Sequence, residues 1–139
     1  MSIVSQSIFL GFTQGLPTYS LGTSSTSVNE GSTVTFTTTT ANVSNGTTLY
    51  WSVSGVSSSD FTVNSTTGSF TIGSNGQGSV SLTLSSDSST EGTEYFTFYV
   101  RTGSTSGTIV ATSPQITIND TSSCLSQQNK LIKKYFGEF

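Results

Sequence analysis

From Thr33 to Thr40 this chain alternates, with Val34, Phe36 and Thr38 on one side and threonines on the other. A period of two is the pattern of a strand that buries one face. The same period recurs at Leu49, Trp51 and Val53, at Val80, Leu82 and Leu84, and at Phe96, Phe98 and Val100. In the last of these, Tyr95, Thr97 and Tyr99 point the other way. Tyr19 to Val28 reads as a first strand with a kink in its Ser/Thr/Gly centre. Phe61 with Val63, and Phe70 with Ile72, read as short strands. Ile109 and Val110, then Ile116 and Ile118, close the set. Asn45-Gly46 and Asn75-Gly76 supply turn signals between them. About eight or nine short strands, evenly spaced, predict an all-β, two-sheet sandwich. Trp51, on a central strand, is expected in the core. Pro114 is expected at a strand start or an edge.

The composition agrees with this reading. Only 32% of the 139 residues are hydrophobic, yet 11% are aromatic and only 8% are charged. Disordered chains show the reverse, with high charge and few aromatics. There is no His and one Cys, Cys124. That excludes an internal disulfide, a His/Cys zinc site and a nucleophile–His pair. No apolar run is long enough to span a membrane. The apolar N-terminus lacks a basic region, so it is not read as a signal peptide.

The charges are few and unevenly placed. Six of the seven carboxylates lie in residues 1–123, beside a single base, Arg101. An acidic body excludes nucleic acid as a partner. The six acids are Glu30, Asp60, Asp87, Glu91, Glu94 and Asp120, each in or beside a turn that borders an expected strand. Strand ends can converge on one rim of a sandwich. Glu30, Asp60, Asp87, Glu94 and Asp120 are therefore candidate ligands for a hard cation such as calcium. The alternative is that these acids shape turns, accepting bonds from backbone amides. A sugar-binding reading would need an exposed aromatic platform, for which Tyr50, Tyr95 and Tyr99 are the candidates.

Two flanks differ from the body. Residues 1–17 form an apolar arm carrying Ile3, Val4, Ile8, Phe9, Leu10 and Phe12, ended by Gly15-Leu16-Pro17. Residues 123–139 predict a short amphipathic helix. Leu125, Leu131, Ile132, Tyr135 and Phe136 fall within about 140° of a helical wheel stepped at about 100° per residue. Lys130, Lys133 and Lys134 fall opposite. A helix this short needs something to dock on. Ile8, Phe9, Phe12, Leu125, Ile132 and Phe136 are the candidate docking residues, and neighbouring copies the expected partners. The sandwich itself is expected over residues 18–122.

The body resembles a Calx-beta domain. The resemblance is carried by Ser27-Val28-Asn29-Glu30-Gly31-Ser32-Thr33-Val34-Thr35-Phe36, Ser59-Asp60-Phe61, Asp87-Ser88-Ser89-Thr90-Glu91-Gly92-Thr93-Glu94-Tyr95-Phe96 and Ile116-Thr117-Ile118-Asn119-Asp120. It implies an immunoglobulin-like sandwich, extracellular or surface exposure, and in some members calcium at one rim. Calcium-binding members usually end with a run of acids, which here shrinks to Asn119-Asp120-Thr121-Ser122. Similar Ser/Thr-rich modules occur in phage virions and on bacterial surfaces. Together with the two docking flanks, the resemblance leads to the expectation of a non-enzymatic, homo-oligomeric virion protein, for head decoration, tail or fibre. The alternative is a bacterial cell-surface adhesion module.

Overall fold

The computed structural model describes residues 15–87 and 90–121. Most of the apolar arm, Ile8, Phe9 and Phe12 included, lies outside the described residues. So does the expected C-terminal helix with Leu125, Ile132 and Phe136.

Among the described residues nine strands build two sheets: β1 (Thr18–Thr23), β2 (Ser27–Asn29), β3 (Thr33–Ala41), β4 (Thr48–Ser54), β5 (Thr67–Thr71), β6 (Gln77–Thr83), β7 (Glu94–Thr102), β8 (Thr108–Thr112) and β9 (Ile116–Asn119). The first sheet has the order β1-β3-β6. The second runs β2-β9-β7-β4-β5, and β8 also pairs with β7. Pairing is antiparallel except between β2 and β9, which run parallel. The whole is an immunoglobulin-like two-sheet β-sandwich.

The inward residues are those the alternation predicts. Val34, Phe36, Leu82, Phe96, Phe98 and Val100 are all buried. The Phe36 and Phe98 rings stack across the two sheets at 4.1 Å, and Trp51 stacks on Phe98 at 5.6 Å. Burying such side chains contributes about 1.5–3 kcal/mol each. Trp51 fits because Gly68 lies opposite it on β5. A Cβ at Gly68 would come within 2.5 Å of the indole Nε1.

Two local expectations need correction. Tyr19–Val28 is two strands, not one. β1 pairs with β3 in the first sheet, and the chain then crosses at Ser24–Thr26 so that β2 pairs with β9 in the second. The Ser/Thr/Gly centre read as a kink is the site of this sheet switch. Phe61 and Val63 do not form a strand of their own. Phe61 makes one isolated bridge to Leu84, and Val63 is exposed. A 3₁₀ turn (Ser58–Asp60) precedes them. A second turn follows, in which the Asn64 amide donates to the Phe61 carbonyl. Asn64 there has φ 53°, a left-handed conformation that Asn tolerates and that ends extension.

Pro114 sits between β8 and β9. Ser113 bridges the gap, its amide donating to the Phe98 carbonyl and its hydroxyl accepting from the Phe98 amide. β8 and β9 thus line the same edge of β7 in succession. A bulge shifts the β7–β8 register between Val100 and Arg101.

Candidate metal centre

The acids gather where β2, β6 and β9 end and β7 begins. At Asn29-Glu30-Gly31 the chain turns from the second sheet to the first. The Glu30 amide donates to the Asn119 carbonyl at 3.2 Å and the Gly31 amide to the Leu84 carbonyl at 2.9 Å. Gly31 has φ 78°, the left-handed geometry this turn requires. Glu30 is therefore fixed between the ends of β9 and β6. Glu94 is the first residue of β7 and pairs with Ile118. Asp87 and Glu91 stand on the loop between β6 and β7.

Five carboxylates, from Glu30, Asp60, Asp87, Glu91 and Glu94, line one rim cavity of about 130 Å³. Oxygens of Glu30, Asp87 and Glu91 all lie within 4.8 Å of one another. Two ligands on a single calcium ion are at most about 5 Å apart, because each Ca–O distance is about 2.3–2.6 Å. The three oxygens meet that limit together. Asp60, Glu91 and Glu94 also line a broader depression that opens beside the cavity.

Glu30 carries the decisive detail. Its Oε2 is buried and has no hydrogen-bond partner. Buried polar atoms are almost always satisfied, so an orphan in a native fold requires a cause. A cation or a water in the cavity would supply one. Burial pushes the Glu30 carboxyl up from its ordinary range, against a bond from the Thr121 amide; the charges of Asp120, Asp87 and Glu91 push the same way as burial. Glu94 is raised as well, by burial first and then by Asp60, Glu91, Glu30 and Asp87. A divalent cation would reverse both shifts.

The remaining acids partly hold loops. The Asp60 Oδ2 accepts from the Ser57 amide at 2.6 Å and the Ser57 hydroxyl at 3.0 Å, which fixes the 3₁₀ turn. The Asp120 Oδ2 accepts from the amides of Glu91 and Gly92, at 2.8 and 2.9 Å. Asp120, expected among the ligands, thus holds the loop that presents Glu91. Glu91, which is not in the expected ligand set, belongs with the closest three. Its place in the Asp87–Glu94 segment was the available signal.

No protein-family model matches the chain, and no curated protein sequence does. Solved structures do. The apo-form Calx CBD1 domain superposes at a TM-score of 0.52 with 13% identity, over 74% of this chain and 97% of that one. The fold is Calx-beta-like. A chain in a structure of T-cell specificity and activation by the bacterial superantigen toxic shock syndrome toxin-1 aligns over 72% of this chain and 97% of its own. Its identity is 13% and its TM-score 0.36. The sandwich here has an acidic cluster at one rim. Among the described residues no helix is long and apolar enough to cross a membrane.

Proposed function

We propose that this chain is a non-enzymatic structural module whose rim is stiffened by calcium and whose flanks dock neighbouring copies in a virion. The observation that carries the calcium reading is the buried, partnerless Glu30 Oε2 beside Asp87 and Glu91. These three would hold the ion, with Asp60 and Glu94 beside them in the same cavity. Bound calcium supplies charge neutralisation. Without it the clustered carboxylates repel one another. Glu30 is anchored to β9, and Asp87 and Glu91 belong to the β6–β7 loop. An ion shared by them would tie that loop to the sandwich.

The structural role draws on the rest of the molecule. The outer face of the first sheet is a hydroxyl ladder, with Thr33–Thr83 at 2.7 Å, Thr35–Ser81 at 2.9 Å and Thr37–Ser79 at 3.4 Å. It suits permanent exposure to water. The apolar arm leads into β1, an edge strand of the first sheet, and strand addition at such an edge is a common docking mode.

Calcium titration of the full chain by calorimetry, with light scattering in calcium and then in chelator, tests the proposal. Saturable binding and a polymeric mass are expected. A melting curve indifferent to millimolar calcium removes the metal. A monomer in both conditions removes assembly through the flanks.

A further inference from the structure

The two outer faces of the sandwich differ in chemistry. The first sheet shows water a field of hydroxyls. The second gathers Tyr50, Tyr95 and Tyr99 together with Arg101, the only basic side chain among the described residues. These residues alternate with the buried Trp51, Phe96, Phe98 and Val100, so they share the outward face. Arg101 pairs across strands with Tyr50 on one side and Ile109 on the other.

Arg101 is held in place. Its Nε donates to the Ser52 hydroxyl and its Nη1 to the Gly107 carbonyl, both at 2.8 Å. Its guanidinium carbon stands 5.8 Å from the centre of the Tyr99 ring. The Tyr99 hydroxyl reaches Ser54 on the neighbouring strand at 3.0 Å, so this ring extends across the sheet from β7 to β4. The bulge opposite Arg101 is an extra residue, Val110, on the edge strand β8, while β7 itself keeps a regular register with β4.

Both partners of this guanidinium are neutral oxygens. The six carboxylates of the body lie at the other end of the sandwich. Arg101 is seven residues along β7 from Glu94, about 23 Å at the rise of an extended strand. A guanidinium this fixed, without an acid of its own among the described residues and flanked by aromatic rings, is arranged for an anion brought from outside.

We propose that the outer face around Arg101, Tyr99 and Tyr50 binds a saccharide that carries a carboxylate. The guanidinium takes the carboxylate through the Nη2 edge that the two internal bonds leave over. The tyrosines offer ring faces to the sugar's C–H surface, and neighbouring hydroxyls meet its own hydroxyls. The acidic body repels long polyanions, a nucleic acid among them, and one cation does not offset that. A short saccharide with one carboxylate per ring meets less of this repulsion. The face is separate from the metal rim, and this proposal does not depend on calcium.

The test is an NMR titration of the full chain, in chelator, with trigalacturonate, its neutral methyl ester and tetraglutamate. Chelator prevents calcium from bridging protein and uronate. Trigalacturonate is expected to shift the amides of β4, β7 and the β7–β8 hairpin and to leave those of the rim unmoved. The methyl ester is expected to bind at least about tenfold more weakly, the value of one charged hydrogen bond. Arg101→Lys, which keeps the charge and loses the fork, and Tyr50→Ser should each weaken binding by a similar factor, with melting temperatures checked beside them. No shifts with trigalacturonate, shifts confined to the rim, equal binding of the methyl ester, or equal binding of tetraglutamate would each overturn the proposal.

Discussion

Replacing Glu30 with Gln removes one negative charge from the rim and keeps the shape of the side chain. Glu30 faces Asp87 and Glu91 at separations of up to 4.8 Å, and each pair repels by roughly 0.9 kcal/mol at that distance in a water-like dielectric. Asp87 and Glu91 are exposed, so the water-like value is the appropriate one. Two such pairs, screened with a Debye length of about 10 Å at 0.1 M salt, leave roughly 1 kcal/mol. In chelator we predict that Glu30→Gln melts about 4–8 °C above the parent chain. In calcium the order reverses. An ion present at a hundred times its dissociation constant stabilises the parent by about 2.7 kcal/mol, or roughly 10–20 °C, and the variant gains little. Differential scanning calorimetry with and without chelator reads both effects. General damage would lower the melting temperature in both conditions, so the opposite signs are diagnostic. A variant that melts at or below the parent in chelator, or that keeps the full calcium shift, refutes the reasoning.

The raised carboxyls of Glu30 and Glu94 predict a falling stability with rising pH in chelator, because the folded state holds its protons more tightly than the unfolded one. Their stabilising effect is complete below the ordinary glutamate range and is lost as pH rises through the raised values. The difference in melting temperature between parent and Glu30→Gln, followed upward from about pH 4, isolates the Glu30 share; a difference that moves in the parent's favour as pH rises contradicts it. Asp120→Ala removes the acceptor of the exposed Glu91 and Gly92 amides and should cost about 0.5–1.5 kcal/mol, with faster hydrogen exchange at those two amides. Gly68→Ala forces a methyl against the indole of Trp51 and should cost about 1–3 kcal/mol, with a shift in the emission of the single tryptophan. Unchanged emission and melting would show that β5 moves aside freely.

The alternation around Phe36, Trp51, Phe98 and Leu82 was legible because a sandwich buries every second residue, and those positions are buried. The sheet switch after β1 was not legible. Ser24-Ser25-Thr26 looks locally like an imperfect strand, and the partner that claims β2 is β9, some ninety residues away. Phe61 misled because an apolar pair at i and i+2 suits a strand, whereas Asp60 fixes a 3₁₀ turn before it and Asn64 a left-handed turn after it. The convergence of the acids on one end was legible from their places at strand ends. Which of them would point inward was not. Glu30 and Glu91 face each other because Asp120 is bound to the amides of the Glu91 loop, a contact that no local pattern encodes.

The parallel pairing of β2 with β9 has a mechanical consequence. β1 and β2 run toward the rim and β9 ends there, so the chain enters the sandwich at one end and leaves it at the other. Tension applied between the two ends would pull β2 and β9 in opposite directions along their length. Their backbone bonds, and the Asn119 side chain bound to Ser27 and Asn29, would then be loaded together in shear, not opened one at a time like a zipper. We predict that single-molecule pulling through the ends meets a higher force than pulling across β1 and β6, whose outer edges peel. Equal forces in the two geometries would show that the β2–β9 pair is not the clamp.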